Sequence, residues 1–426
     1  MTQKHWLVFT HAANSRDYGL AKEALRRMQQ NLDRDTTVFS IFFGPTLKSV
    51  ATLEHHVYNE CFPIASEKNE TTETALDITI FFTEIIQNIL SDARDRVSGV
   101  CIWSHGSGGS GIGVWKKWKT PFMSCVDLVR TIIKPFQPRI VCFDACYQGS
   151  ISCLFELVGV TDIVVASPGF HPFCSILWTK AFGELSKIRL TKREIENYAH
   201  NIACEWHSMT GVYYKCLLVF DMAVIPEMAA AVKENWDHLI FDERSQIDKE
   251  DANLHDIFIA ARNVSIVQRL ANKSISQVTR QCLTCRPSCT RWVNGPSVEA
   301  RLLRKWQHAY VQTAWYNYIR GKRGYHDRRL IHALAKRSRK GQFADEGESD
   351  SEMWMRQCDT EDEHSSSPVS THSGDSGFIS SRMSSVDSLL DSSYPGELSS
   401  DLPMAAYLVE PDVLSLWFLE VKQSVD

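Results

Sequence analysis

Two short apolar runs in this chain end abruptly in residues able to do nucleophilic chemistry. The first, Gly99-Val100-Cys101-Ile102-Trp103, leads into Ser104-His105-Gly106-Ser107-Gly108-Gly109. The second, Arg139-Ile140-Val141-Cys142-Phe143, leads into Asp144-Ala145-Cys146-Tyr147-Gln148-Gly149. A cysteine thiolate is a strong nucleophile, and an imidazole can take its proton and later return it to a leaving group. Taken singly, a cysteine after an apolar strand is more often an inert core thiol, and a histidine at a strand end is equally ordinary. Here both residues close apolar runs, and both stand among glycines that core packing does not require. The joint pattern points to a Cys146/His105 dyad. Cys142 and Cys153 keep a structural reading.

The elements around these runs must bring the two residues together. An unbroken apolar run of about five residues bounded by turn signals reads as a strand buried on both faces. Two such strands with one helical segment between them, here Ser124 to Ile133, read as a parallel βαβ unit. Both strands then end on the same sheet edge, where open α/β sheets bind their ligands. Further strands are expected at Trp6–Thr10, Thr36–Phe43 and Asp162–Ala166, with a sixth at the edge over Val212–Phe220. Amphipathic helices are expected from about Asp17, through Ala21, Leu25, Met28 and Leu32, and across Leu76, Ile80, Ile85 and Ile89. Ser66–Glu73 reads as a polar loop, and Ser107–Pro121 as a loop rich in glycine, tryptophan and lysine. The alternation predicts a three-layer α/β/α domain with a mainly parallel sheet over residues 1–226.

The two motifs resemble the caspase, legumain and clostripain superfamily of cysteine peptidases, whose signature is an apolar run ending in His-Gly and a later one ending in Ala-Cys. The clostripain-like branch is the most similar, because Asp144-Ala145-Cys146 carries an acid where caspases carry glutamine. The resemblance spans roughly residues 5–265 and is looser after Phe220. It implies a caspase-like fold and hydrolysis of peptide bonds by Cys146 and His105, without a cofactor. It also implies an oxyanion hole from the amides of Gly106 and Cys146. Neither strand supplies a third residue to orient His105, and the superfamily commonly works as a dyad. By the same resemblance Asp144 lines the substrate pocket with the loop that begins at Ser167, and a carboxylate there favours cleavage after Lys or Arg. The Ser167–Trp178 loop contains no acid, and Lys116, Lys117 and Lys119 follow His105, so the flanking loops do not repeat that preference.

The chain has 426 residues, enough for two or three domains, with a formal net charge of −5 and 13 scattered cysteines. Cysteines inside expected strands suit reduced thiols, and the first residues lack the build of a signal peptide, so a cytoplasmic or nuclear protein is expected. The longest apolar run, Ile78–Leu90, is too polar and too short to span a bilayer. Residues 227–342 read as a mainly helical, basic and aromatic extension, in which Leu254, Ile257, Phe258 and Ala261 make a helical stripe. Residues 343–400 are acidic and then serine-rich, a composition that cannot offset chain entropy by burial and is expected to be disordered. Residues 401–426 end in an apolar segment that could dock on the body or a partner.

Three weaker signals remain. Cys282, Cys285 and Cys289, with His308 as a fourth candidate, suggest zinc, but the spacing is incomplete for a structural finger and unbound thiols are the better reading. Lys322–Lys340 has the spacing of a bipartite signal for a nuclear-import receptor, against the plain reading of a helix that packs its aromatics and solvates its charges. Asp375-Ser376-Gly377-Phe378-Ile379-Ser380 matches a phosphodegron, through which phosphorylated Ser376 and Ser380 would engage a ubiquitin ligase. The competing functional class is a catalytically silent peptidase-fold scaffold acting through its basic extension and phosphorylatable tail.

Overall fold

The computed structural model describes residues 4–32, 34–44, 50–57, 59–90, 97–114, 121–169, 171, 191–210, 217–247, 254–275, 295–300 and 307–319. In chain order the strands are β1 (Lys4–His11), β2 (Thr36–Phe43), β3 (Val50–Val57), β4 (Glu60–Lys68), β5 (Val97–Trp103), β6 (Ile112–Val114), β7 (Pro121–Met123), β8 (Ile140–Asp144), β9 (Ile163–Ala166), β10 (Leu218–Asp221), β11 (Leu254–Asp256) and β12 (Ser297–Glu299). The helices are α1 (Ser15–Asn31), α2 (Thr72–Ile89), α3 (Cys125–Leu128), α4 (Ile151–Glu156), α5 (Lys192–Thr210), α6 (Ile225–Glu234), α7 (Ile257–Ala260), α8 (Ser265–Lys273), α9 (Gln307–Tyr310) and α10 (Ala314–Ile319). Among the described residues no helix is long and apolar enough to cross a membrane.

Eight strands form one sheet in the order β10-β9-β8-β5-β1-β2-β3-β4. The run from β9 to β2 is parallel throughout. Antiparallel strands finish both edges, β10 on one side and the β3–β4 hairpin on the other. The central strands are apolar on both faces because both faces are covered, and every residue of β2 is buried. On one face α1 lays Ala21, Ala24, Leu25 and Met28, and α5 lays Ile195, Tyr198, Ala199 and Ile202. On the other, α2 supplies Ala75, Ile78, Phe82 and Ile86, joined by α3, α4, α6 and α8. The three-layer α/β/α fold with a mainly parallel sheet, expected from the sequence, is thus present.

Several local expectations are revised. Residues 50–68 hold the hairpin that the apolar pattern did not announce, and the polar stretch starting at Ser66 is the end of β4 rather than a loop. The reason is exposure: β4 is an edge strand that is almost wholly solvent-facing, so it carries no buried stripe. The loop after His105 contains β6 and β7, an antiparallel pair. Helix α3 passes directly into a π-helical turn over Val129–Ile133. The last sheet strand is Leu218–Asp221, shorter than the expected Val212–Phe220, and residues 211–216 lie outside the described ones. The helical stripe read at Leu254–Ala261 is instead a short strand followed by one turn of helix, because β11 pairs with β12. The described residues within 225–275 and 295–319 add apolar side chains, Trp236, Val298, Trp315 and Ile319 among them, to the core that α2–α4 share. The expected disordered stretch 343–400 and apolar end 401–426 lie outside the described residues.

Candidate active site

The sheet register places the two motifs side by side. Thr10 of β1 pairs with Trp103 of β5, which pairs with Asp144 of β8. Ser104 N–H continues the ladder by donating to Asp144 O at 3.3 Å. Two residues beyond that row, at the carboxyl end of adjacent parallel strands, stand His105 and Cys146. The chains then touch: a Cβ on Gly106 would lie 2.0 Å from Cys146 O and 2.9 Å from Cys146 N. Only glycine permits that approach, which brings the two proposed oxyanion donors, the amides of residues 106 and 146, into one neighbourhood. Tyr147, the next residue, is held in the left-handed region at φ 62°, with its N–H donated to Gly169 O at 2.8 Å. Such strain is held by surrounding structure and gathers at functional sites.

His105 has a partner that the motifs did not disclose. Its Nε2–H donates to Asp17 Oδ2 at 3.1 Å, and the Asp17 side chain is only 5% exposed. Asp17 sits in the first turn of α1, where Asn14 caps the helix by accepting from Asp17 N–H at 2.8 Å. Ala13 N–H donates to the same Asp17 oxygen at 3.2 Å, so the carboxylate is fixed from two directions. A neutral imidazole that donates through Nε2 presents Nδ1 as its acceptor, which is the tautomer a general base requires. Behind this pair lies His11, the last residue of β1, whose Nδ1 is 3.3 Å from Ser104 Oγ and whose ring stacks on Phe122. Burial, and then the nearby His105, lower His11 to about 3, so it is a neutral wall of the site.

The Cys146 thiol meets the backbone of residue 171. It donates to His171 O at 3.3 Å and accepts from His171 N–H, also at 3.3 Å. The His171 ring then reaches Asp144, with Nε2 2.7 Å from Oδ1 and both side chains almost fully buried. The acid expected to line the substrate pocket is therefore engaged by a histidine from the very loop that lacks an acid of its own. Ser167 is buried, and its hydroxyl serves its own turn, donating to Gly169 O at 3.0 Å, while its carbonyl accepts from Gly149 N–H at 2.7 Å. It thereby holds the 167–169 turn against the loop that follows Cys146.

Two further residues brace the motifs. Gln148 Nε2 donates to Gly111 O at 3.0 Å, tying the Cys146 loop to the His105 loop, and its Oε1 accepts from the Cys153 thiol. Glu299, from β12, accepts from Ser152 Oγ at 2.7 Å, Gly109 N–H at 3.4 Å and Tyr310 Oη at 3.3 Å. The thiols of Cys101, Cys142 and Cys153 are poor nucleophiles. Burial, and then Cys142 and Asp144, raise Cys101; burial and Asp144 raise Cys142. A hydrogen bond with Cys125, then burial, raises Cys153 well above its ordinary range. Cys282, Cys285, Cys289, Lys116, Lys117, Lys119, the basic stretch Lys322–Lys340, Ser376 and Ser380 lie outside the described residues, as does the side chain of His308.

A mainly parallel sheet sandwiched by helices is the caspase-like fold that C11 clostripain-like cysteine proteases of known structure share. The structural neighbours are C11 proteases. A secreted C11 cysteine protease from Bacteroides thetaiotaomicron, in complex with an irreversible peptide inhibitor, superposes with a TM-score of 0.54 at 17% identity over 75% of this chain and 99% of its own. A second structure, the secreted C11 protease "iotapain" of the same organism, gives 0.55 at 14% identity over the same shares. An inactive zymogen C11 protease from Parabacteroides distasonis gives 0.54 at 15%, again over 75% of this chain and 99% of its own. At these identities the likeness is one of fold. No family model and no curated protein matches the sequence.

Proposed function

We propose that this chain is a cysteine endopeptidase in which Cys146 is the nucleophile, His105 its base and Asp17 the residue that positions His105. The observation that carries the reading is the shared register of β5 and β8, which sets His105 and Cys146 at one sheet edge with Gly106 packed on Cys146. The Cys146 thiol loses its proton to His105, and the thiolate attacks the peptide carbonyl carbon. The carbonyl electron pair moves to oxygen, where the Gly106 and Cys146 amides stabilise it. Collapse expels the amine, which takes the proton from His105 and leaves a thioester on Cys146. A water, deprotonated by His105, then releases the acid and restores the thiol. The fold shared with the C11 proteases supports this class of chemistry.

Asp144 supports a preference for Lys or Arg before the scissile bond, with the substrate cation taking the place of His171 against the carboxylate. An intracellular site of action is supported by the cysteines, since all seven in the described residues are free thiols. One observation favours the second reading, a catalytically silent scaffold: residue 171 engages both the Cys146 thiol and Asp144, so substrate must displace it. A peptidyl acyloxymethyl ketone separates the two. The endopeptidase reading expects labelling of the wild type that Cys146→Ala and His105→Ala both abolish, with probes carrying Lys or Arg reacting fastest. Absence of labelling in the wild type selects the scaffold. Faster labelling by an aspartyl or leucyl probe overturns the basic preference alone.

A further inference from the structure

On the β3–β4 hairpin, far in sequence from the dyad, three side chains of different donor type converge. Glu54 and His56 lie two residues apart on β3 and therefore share a face. Cys61 of β4 is the direct cross-strand partner of His56. One donor atom from each, a carboxylate oxygen, an imidazole nitrogen and a thiol sulfur, lies within 4.8 Å of the others. We propose that Glu54, His56 and Cys61 bind a divalent transition metal of the zinc class, leaving a fourth coordination position to water.

The thiol of Cys61 donates to Glu54 Oε2, and the spacing of the cluster also matches that of ligands around one ion. Zinc bond lengths of about 2.05 Å to nitrogen, 2.1 Å to oxygen and 2.3 Å to sulfur put tetrahedral ligand atoms about 3.4 Å (N···O) and 3.6 Å (S···O) apart. His56 Nε2 and Glu54 Oε2 are 3.5 Å apart, and Cys61 Sγ and the same oxygen are 3.7 Å apart. The His56 side chain is 3% exposed, and neither of its ring nitrogens has a hydrogen-bond partner among the described residues. Leaving a buried polar group so is costly, and an ion coordinated at Nε2 would satisfy one of the two nitrogens. The mixed S, N and O donor set suits zinc better than calcium or magnesium. Lys22 of α1 stands 3.6 Å from the other carboxylate oxygen, Oε1, so it orients Glu54 while leaving Oε2 turned toward His56 and Cys61. Binding displaces the Cys61 thiol proton to solvent, so one proton is released for each ion bound.

The test is titration of the full chain with Co²⁺, read by the absorption of tetrahedral cobalt–thiolate coordination, followed by displacement with Zn²⁺. The wild type should bind one more equivalent than Cys61→Ser, an exposed position where serine leaves the fold intact. Glu54→Gln should weaken that equivalent by more than the roughly 10- to 100-fold that loss of an outer partner costs. Lys22→Met, which removes the partner of Glu54 Oε1 but no ligand, should keep the extra equivalent and weaken it by no more than that roughly 10- to 100-fold. Equal binding by the wild type and Cys61→Ser, unchanged affinity in Glu54→Gln, or absence of a cobalt–thiolate band in the wild type would each overturn the assignment.

Discussion

Replacing Asp17 by asparagine removes a charge beside His105 and little else. The carboxylate accepts from His105 Nε2 at 3.1 Å and from Ala13 N–H at 3.2 Å, and asparagine can keep one such acceptor for the start of α1. The Asn14 cap, which bonds the backbone of residue 17, is untouched. A hydrogen bond to a charged group contributes about 1.5–3 kcal/mol, which corresponds to a loss of roughly 10- to 150-fold in the rate at which an active-site-directed ketone labels Cys146. Because imidazole orientation, not binding, is affected, the loss should fall on the limiting labelling rate while the half-saturating probe concentration stays near that of the wild type. Asp17→Ala should lose the same rate and also melt earlier, having no acceptor for Ala13. Labelling of Asp17→Asn within about threefold of the wild type, with the melting temperature unchanged, would refute a positioning role for this acid.

Three other outcomes are expected. Gly106→Ala drives a Cβ to 2.0 Å from Cys146 O and should cut labelling by about 100-fold through misplacement, whereas Gly159→Ala, at φ 75° in open space, should cost only about 1–2 kcal/mol of stability. Urea unfolding of His171→Ala should show a loss of about 3–5 kcal/mol, since Asp144 stays buried without its 2.7 Å partner; a loss below 1 kcal/mol (about the worth of an exposed pair) argues against the buried pair. Between the ordinary histidine value of 6.5 and about 3, the unfolded chain takes a proton at residue 11 that the folded chain refuses. Stability should therefore fall as pH drops through that window, by up to about 1.4 kcal/mol per pH unit, and His11→Asn should flatten the decline.

What could be read from the sequence was what the buried sheet imposes on it. β5 and β8 are apolar on both faces and stop at small residues, so their ends, and hence His105 and Cys146, stood out. The β3–β4 hairpin did not, because β4 faces solvent and its composition is that of a loop. Asp17 was hidden for another reason: it is 88 residues from His105, and an acid in the first turn of a helix ordinarily needs no explanation beyond the helix dipole. His171 carried no signal because the loop after β9 holds no acid, and the partner Asp144 has there is an imidazole. Glu299 offered no local signal at all, since its three partners, Gly109, Ser152 and Tyr310, are contributed by separate stretches of chain.

The place of β1 in the sheet bears on how the protein is made. β1, which precedes the other strands of this sheet along the chain, lies inside it, flanked by β2 and β5. A nascent chain long enough to pair β1, β2 and β5 already carries Asp17 and His105 but not yet the thiol they would serve. Cys146 arrives with the end of β8, and the residue whose backbone engages its sulfur follows only 25 positions later. The order of translation thus leaves a window of a few seconds at most, at about 5–20 residues per second, in which a newly emerged Cys146 is without His171.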